Sequence, residues 1–387
     1  MSIVLYDNAQ RKKLYPLNNC CAVAALRSGI FTIKERWQLL TNETVHIHTE
    51  NYLSVLYETV PPGQHIWIDA SVLADKDLIE RILVLEEGEA LADNNGLIAG
   101  RKNFADNNFT ASEAFEYFET IHEYNDVKRL EYPWQIFQWN DERLRQDFEY
   151  IISNTQSQIL PSGSQYINPE NIFIEEGAEI SCATINASTG PVYIGKNALI
   201  MEGAVIRGPL ALCESAVVKM GAKIYGATTI GPYCMAGGEI KNAVMQGYSN
   251  KAHDGYLGDA VIGNWCNLGA GTTNSNVKNT GGTVKMWNAF AKDEMPIGIK
   301  CGVIIGDYSR TAINSSLNTG TVIGVCCNVF GEGLLPTYIP DFNWGAEGIT
   351  KYKFEKVLQD INNWKNMKGQ QLSAAQTQVL QHIFEQF

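Results

Sequence analysis

The middle of the chain repeats one hydrophobic position every six residues. Seven aliphatic residues keep this spacing: Ile194, Ile200, Ile206, Leu212, Val218, Ile224 and Ile230. The residue four positions after each is mostly small: Ala198, Ala204, Leu210, Ala216, Ala222, Thr228 and Cys234. A period of six fits neither a helix face, with its period of 3.6, nor an alternating strand. The pattern predicts a triangular parallel coil whose stacked turns bury a column of aliphatic side chains.

Weaker copies of the repeat extend the array to about residues 168–333. They place aliphatic residues at Ile174, Ile180, Ile262, Leu268, Ile305, Leu317, Ile323 and Val329. The regularity breaks between Cys234 and Ile262, and again between Asn274 and Gly302. We expect loops to leave the coil at both breaks, and such loops tend to carry the binding surface of a solenoid.

The residues before the array mix strand and helix patterns, which predicts an α/β domain. Strands are expected at residues 3–6, 65–68 and 82–85, and helices at residues 71–80 and 112–122. The expected organisation is an α/β domain over residues 1–150, a linker over 151–167, the coil over 168–340 and a tail over 341–387.

The tail should form two amphipathic helices, since Pro336 and Pro340 end the strand ladder. The two apolar stripes are Phe354, Leu358, Ile361 and Trp364, then Val379, Leu380, Ile383 and Phe387 behind the cap Ser373. We expect these helices to pack on the coil end or on a neighbouring subunit, and not on a membrane.

Composition narrows the class of protein. The 387 residues carry a net charge of −12, which argues against nucleic acid or an anionic membrane as a partner. The first thirteen residues lack the apolar stretch of a signal peptide, and nowhere do eighteen apolar residues run together, so a cytoplasmic protein without membrane insertion is expected. The nine cysteines show no paired spacing and are interpreted as reduced packing residues.

The segment of residues 237–276 spans the first break and combines several chemically active side chains. It contains Glu239, Lys241, His253, the run from Tyr256 to Ala260, the run from Asn267 to Thr272, and Asn276. In order and spacing this segment resembles the acetyltransferase domain of the bifunctional GlmU-like family, which acetylates glucosamine-1-phosphate and then attaches uridylyl. The resemblance implies a left-handed parallel β-helix of hexapeptide repeats, a homotrimer, and amino sugar acetylation from acetyl-CoA in cell envelope biosynthesis.

Amide formation from a thioester needs a group that removes the amine proton near neutral pH, and an imidazole suits this task. The resemblance gives that role to His253. It also implies that Lys241 binds the sugar phosphate, that Tyr256 and Asn267 hold the sugar, and that the Ala270 amide faces the thioester oxygen. Asn276 would orient the acetyl group or the base, and Glu239 would steady the imidazolium.

Other readings of His253 stay open at this stage. An isolated loop histidine usually satisfies backbone groups. Some hexapeptide proteins instead use three histidines to hold zinc, but the other five, at His46, His48, His65, His122 and His382, lie outside the coil. Farther along, Arg310, Lys285 and Lys300 are candidates for the phosphates of acetyl-CoA, with solvated surface charges as the alternative.

The N-terminal residues resemble sugar-nucleotide pyrophosphorylases, a nucleotidyltransferase (Rossmann-like) α/β fold, in the segment from Lys13 to Asn18. The glycine-rich phosphate turn of that family is missing here. Arg11 and Lys13 are candidates for binding a nucleoside triphosphate. Asp69 and Asn140 are candidates for Mg²⁺, and the alternative for Asp69 is a helix cap.

Three functions therefore compete. The leading hypothesis is an amino sugar phosphate N-acetyltransferase, with or without nucleotidyl transfer. The second is a sugar-1-phosphate nucleotidyltransferase that uses the coil only to form trimers. The third is a catalytically silent binding scaffold.

Overall fold

The N-terminal part is a mixed α/β sheet. The computed structural model describes residues 2–104 and 109–386, and the sheet order is β2-β1-β3-β5-β4-β6. The strands are β1 (Ser2–Tyr6), β2 (Thr44–His48), β3 (Gly63–Asp69), β4 (Glu89–Asp93), β5 (Gly96–Phe104) and β6 (Thr120–Glu123). Alternate residues of β1 enter different hydrophobic clusters, Ile3 and Leu5 on one side and Val4 and Tyr6 on the other, so both faces of the sheet are covered.

The helices of this part differ in places from those expected. They are α1 (Ile33–Thr41), α2 (Asn51–Ser54), α3 (Lys76–Leu83), α4 (Gln135–Gln138) and α5 (Asn140–Asn154), with 3₁₀ turns at Arg11–Leu14, Val23–Ala25 and Ala111–Tyr117. The strand expected at residues 82–85 is wrong, because residues 82–83 end α3 and residues 84–85 follow it outside any strand. The helix expected at residues 112–122 is also wrong, since a 3₁₀ turn and β6 occupy that stretch.

From Gln165 onward the chain forms a parallel β-helix with three faces, which confirms the predicted fold. The first face consists of β8 (Ile172–Ile174), β11 (Val192–Ile194), β14 (Leu210–Leu212), β17 (Thr228–Ile230), the second halves of β19 (Glu239–Met245) and β21 (Tyr256–Ile262), β26 (Val303–Ile305), β29 (Thr321–Ile323) and β31 (Tyr338–Ile339). The 3₁₀ turn Pro169–Asn171 precedes it.

The other two faces are built the same way. The second face consists of β9 (Glu179–Ile180), β12 (Leu199–Ile200), β15 (Val217–Val218), β18 (Met235–Ala236), β20 (Asn250–Lys251), β22 (Asn267–Leu268), β27 (Arg310–Thr311) and β30 (Asn328–Val329). The third face consists of β7 (Gln165–Ile167), β10 (Thr184–Asn186), β13 (Val205–Arg207), β16 (Lys223–Tyr225), the first halves of β19 and β21, and then β23 (Thr273–Asn274) and β28 (Ser316–Leu317).

The hexapeptide positions fill the interior of this coil. Each of the seven aliphatic residues from Ile194 to Ile230 is at most 1% exposed. The small residues at the intervening positions, such as Ala198 and Ala222, are fully buried beside them. The six-residue period therefore reflects packing inside a narrow triangular prism.

Only the second of the two breaks produces a loop. Across the first break the coil continues, so the prediction of a loop there is wrong. The spacing breaks because two turns of the coil are shorter than eighteen residues. Leu212 pairs with Ile230 eighteen residues on, but Ile230 pairs with Met245 fifteen residues on. The second break carries an antiparallel hairpin, β24 (Val284–Asn288) and β25 (Asp293–Gly298).

The N-terminal domain packs along the first face of the coil. Val244, Val261, Ile304 and Val322, which alternate with the inward residues on that face, share a cluster with Ile136 and Phe137 of α4 and with the sheet. Helix α5 covers earlier turns of the same face, where Phe148 packs against Phe173 and Tyr193. The first face is therefore an internal contact between the two parts of the chain.

The C-terminal helices α6 (Phe354–Asn366) and α7 (Ala374–Glu385) cover the edge between the first and second faces. That edge carries stacked aromatic rings, with Tyr233 4.8 Å from Tyr248 and Tyr248 4.4 Å from Trp265. Ser373 caps α7 as expected, in a capping box with Gln376. Phe387, the last residue of the expected stripe, lies outside the described residues. None of the described helices is long and apolar enough to span a membrane.

Candidate functional site

Glu239, Lys241 and Tyr256 lie together on the third face, in neighbouring strands β19 and β21. The Tyr225 hydroxyl of β16 donates to Glu239 Oε1 at 2.6 Å, which with burial raises the pKa of Tyr225 to about 12. The Lys241 ammonium lies 5.9 Å from the centre of the Tyr225 ring. A shallow cavity of about 270 Å³ opens here, lined by Gly221, Lys223, Gly238, Glu239, Asp254, Gly255 and Tyr256.

Asn276 is connected to the third face by a hydrogen bond to the buried carboxylate of Asp259. Asp259, only 4% exposed, accepts hydrogen bonds from Asn276 Nδ2 at 2.5 Å and from Asn242 Nδ2 at 2.7 Å. Asn276 Nδ2 also lies 3.0 Å from the Tyr256 hydroxyl. Because both contacts use the amide nitrogen, the side-chain oxygen of Asn276 is left for a ligand. Burial, followed by the charge of Asp259, raises the pKa of Tyr256, so the phenol stays protonated near neutral pH.

His253 lies at the edge between the second and third faces, in the corner that joins β20 to β21. Its side chain is exposed, and within the described residues no protein group hydrogen bonds to the imidazole. Ala270 lies in the next corner of the same edge, where Gly271 N donates to Asp254 O at 3.1 Å. The predicted base and the predicted amide donor therefore lie at successive corners. Glu239 bonds to Tyr225, and its expected contact with the imidazole is not formed within one chain.

Asn267 is separated from the other sugar-binding candidates. It lies on the second face in β22, where Asn250 Nδ2 approaches its side-chain oxygen at 3.4 Å. Lys241 and Tyr256 lie around the corner on the third face. One chain therefore displays the predicted sugar-binding residues on two different faces.

Of the three candidates for acetyl-CoA, Lys300 is exposed just after β25, and the other two have different surroundings. Lys285 lies in an open groove of about 480 Å³ between the inserted hairpin and the coil, together with Lys278. Neither lysine has an ion-pair partner within the described chain. The remaining lining is Ser275, Val277, Asn279, Thr280, Glu294, Asn318, Thr319, Leu334 and Thr337. Arg310 instead lies on the second face beneath the Trp364 ring, 5.6 Å from its centre, and two of its nitrogens are enclosed.

The N-terminal phosphate candidates are engaged by protein groups. Arg11 is 4% exposed, donates to Asp7 Oδ2 at 2.8 Å, and also binds the carbonyl oxygen of Asn18. Lys13 hydrogen bonds to Gln10 and lies 3.3 Å from Glu131 Oε1. Both cations are therefore engaged by protein groups in this structure, and triphosphate binding by them stays a prediction.

The magnesium candidates do not fit a metal ion. Arg129 Nη1 lies 2.6 Å from Asp69 Oδ2, and Asn8 Nδ2 contacts both oxygens of the same carboxylate at 3.0 and 2.8 Å. A guanidinium thus fills the position that a cation would need. Asp69 does not cap α3 either, because Asp75 does.

Asn140 is occupied as well, far along the chain at the start of α5. Its oxygen accepts from Gly29 N at 2.9 Å, and its nitrogen donates to the Ala227 carbonyl at 2.9 Å. Asp69 and Asn140 therefore form no joint magnesium site in this structure, and Mg²⁺ binding by them stays a prediction. Asn140 instead joins the N-terminal domain to the coil.

Sequence reasoning gave no role to Asp259, Tyr225 or Lys251. Asp259 belongs to the recognised run from Tyr256 to Ala260, and a carboxylate between hydrophobic neighbours is a signal that could have singled it out. Tyr225 and Lys251 gave no comparable signal, because their contacts depend on how successive turns stack.

The fold defines a two-part protein, a mixed α/β domain followed by a parallel β-helix of hexapeptide repeats. Residues 3–156 match the family model for sugar nucleotidyl transferases. This match, together with curated relatives of about 25% identity, supports the resemblance to the GlmU-like family found in the sequence.

The curated relatives are described as bifunctional protein GlmU. The relative from Synechococcus elongatus is 25% identical over 270 residues, which covers 62% of this chain and 55% of the relative. The relative from Bartonella quintana is 27% identical over 178 residues, covering 43% of this chain and 34% of that protein. The relative from Trichodesmium erythraeum is 29% identical over 151 residues, which covers 38% of this chain and 28% of that protein. In the Synechococcus elongatus match, the chain spans about half the length of its relative.

Proposed function

We propose that the chain is an acetyl-CoA-dependent N-acetyltransferase acting on glucosamine-1-phosphate or a related amino sugar phosphate in the cytoplasm. The observation that carries the proposal is the hydrogen-bonded set of Asp259, Asn276 and Tyr256 on the face that holds Lys241, beside the edge that holds His253. A cation for phosphate, polar groups for a sugar and an unpaired imidazole then adjoin one another.

In this proposal each residue has one task. Lys241 binds the phosphate of the sugar and Tyr256 donates its hydroxyl proton to a sugar oxygen. His253 takes the amine proton as nitrogen attacks the thioester carbonyl. The Ala270 N–H stabilises the oxyanion that develops, and Asn276 offers its oxygen to the amine or to the imidazolium. The imidazolium of His253 then gives the amine proton to the departing sulfur, so that coenzyme A leaves as the thiol. Lys278 and Lys285 hold the phosphates of coenzyme A in the groove beside Ser275.

A homotrimer completes the site in this proposal. The first face and the adjoining edge are covered by other parts of the same chain, and helix α6 also covers Arg310 on the second face. The third face and the rest of the second face are left for a neighbour. If the second face of one copy meets the third face of another, Asn267 of the first approaches Lys241 and Tyr256 of the second. Parts of one sugar site that lie on two faces of a prism favour such an assembly.

The experiment is release of free coenzyme A from acetyl-CoA by the purified protein, with a panel of amino sugar phosphates. We expect turnover with glucosamine-1-phosphate or a near relative, and a loss of about 10²-fold or more in His253→Ala. The matched control is His122→Ala, an exposed histidine of β6. No coenzyme A release with any member of the panel would overturn the proposal.

Nucleotidyl transfer by the N-terminal domain is the second candidate, favoured by the family match over residues 3–156. The ion pairs that Asp69, Arg11 and Lys13 form within the protein argue against this candidate, because they occupy the groups that would bind magnesium and the triphosphate. Pyrophosphate release from a nucleoside triphosphate and a sugar-1-phosphate, measured with and without magnesium, separates this candidate from acetyl transfer.

A further inference from the structure

Lys251 occupies an interior position of the β-helix. Its register neighbour in the preceding turn is Ala236, which is fully buried, and Leu268, 3% exposed, holds the equivalent position in the next turn. Lys251 itself is 1% exposed, so a cationic side chain stands in a column that is otherwise apolar at these turns. The small side chain of Ala236 leaves room for its four-carbon stem.

The buried ammonium is directed to backbone oxygens. Nζ donates to the carbonyl oxygen of His253 at 2.5 Å and to that of Gly237 at 3.1 Å. Within the described residues no carboxylate forms an ion pair with it. Burying an ammonium without a counter-ion costs stability, and a well-packed apolar residue at this position would serve the core better. A lysine here therefore points to a local task.

The two carbonyls belong to successive corners of the edge that bears the candidate base. These corners approach closely, since a Cβ on Gly237 would lie 2.2 Å from the Ala252 carbonyl oxygen. The imidazole of His253 is exposed and has no partner within the described chain. Its direction is set by the backbone of residues 252–255, and Lys251 ties that backbone to the preceding turn.

We propose that Lys251 is a positioning residue for the acetyl transfer reaction, which fixes the corner that presents His253 by holding the His253 carbonyl from inside the coil. The proposal rests on the proposed function, since it assigns a purpose to that corner. Lys251 touches neither sugar nor thioester and acts only through the backbone of the base.

The test compares Lys251→Met with Lys251→Gln and with Leu268→Met, an apolar control from the same column. Methionine fills the space but cannot donate, so we expect kcat to fall about tenfold, with the KM for the amino sugar phosphate changed less than twofold. We also expect faster amide hydrogen exchange at residues 252–255, while the melting temperature does not fall. Glutamine donates through its amide and should recover part of kcat, and Leu268→Met should leave both readouts unchanged.

The proposal is overturned if Lys251→Met exchanges hydrogen at residues 252–255 as slowly as the wild type and keeps its kcat. It is also overturned if kcat falls equally in Leu268→Met, since that result indicates general core packing. A wild-type protein that releases no coenzyme A refutes the proposed function, whereas hydrogen exchange still decides whether Lys251 anchors the corner.

Discussion

At the scale of single residues, the candidate site depends on how one carboxylate orients its neighbours. Asp259 is buried and accepts from two asparagine amides, one of which also contacts the Tyr256 hydroxyl. A carboxylate accepts hydrogen bonds only, so it determines which end of each amide faces inward. The oxygen of Asn276 is thereby directed outward.

Replacing Asp259 by Asn should therefore impair catalysis through Asn276. The new amide presents a nitrogen to at least one asparagine nitrogen, so one side chain must turn over. We expect kcat to fall about tenfold or more and stability to fall by about 1–3 kcal/mol, as for a disrupted buried hydrogen bond. Asn242→Ala is the control, because it breaks only the contact remote from Asn276. Equal loss of kcat in both variants would contradict this role.

Lys251 should also affect the pH dependence of stability. Burial lowers its pKa to about 8, and the charge of Asp254 opposes this shift. Between pH 8 and about 10.5 the unfolded lysine binds a proton that the folded one does not, so wild-type stability rises with pH in this window. We expect the stability of Lys251→Met relative to wild type to decline across the same window, measured by urea unfolding. A constant difference from pH 7 to 10.5 would contradict the assignment.

At the scale of elements, the six-residue period is a packing rule that the sequence displays directly. Ala222 stands at an interior position with no exposed surface, whereas Val205 on the third face is 51% exposed. The predicted column of aliphatic residues was correct because each turn repeats the same contacts. The loop predicted between Cys234 and Ile262 is absent, because shortened turns shift the six-residue period without interrupting the coil.

Enlarging an interior corner residue should therefore destabilise the coil. We expect Ala222→Leu to lower the free energy of unfolding by about 1–3 kcal/mol, since the prism has no room for three added carbons. Val205→Ala, on the exposed side of the neighbouring turn, should change it by less than about 0.5 kcal/mol. Denaturant unfolding of both variants measures the difference. A tolerated leucine would mean that the interior is loosely packed.

Contacts between distant elements were beyond sequence reasoning. The Asp69 and Arg129 pair joins residues sixty positions apart, and nothing local indicates that a guanidinium will occupy the place expected for magnesium. The sequence likewise gives no indication that α4 and α5 pack on the first face. Outward residues such as Val244 and Val261 look like ordinary strand residues until the N-terminal domain covers them.

At the scale of the whole molecule, two buried carboxylates lie where the coil meets other parts of the chain. Asp341 accepts from Tyr15 Oη at 2.9 Å and from Asn19 Nδ2 at 3.0 Å, both in the N-terminal domain. Burial raises the pKa of Asp341 to about 6, and burial likewise raises that of Asp307 to about 7. No cation compensates either group within the described contacts.

The docked arrangement should therefore weaken as pH rises from about 4 to 7. The folded carboxyls keep protons that the unfolded chain has lost, so their stabilising contribution is present below pH 4 and is lost through pH 6 to 7. Asp341→Asn keeps an acceptor without a titrating charge. We expect the melting temperature of this variant, relative to its own value at pH 4, to change less than that of the wild type from pH 4 to 8. A melting temperature that depends more steeply on pH in the variant than in the wild type would contradict this prediction.

The most direct test of the central claim is the rate of amide formation itself. Acetyl-CoA labelled with ¹³C in the acetyl group is mixed with glucosamine-1-phosphate, and the new N-acetyl signal is followed by NMR for the wild type and for His253→Ala. The account predicts a growing amide signal with the wild type and a rate at least about 10²-fold lower in the variant. Equal rates for the two proteins would contradict the assignment of His253 as the base.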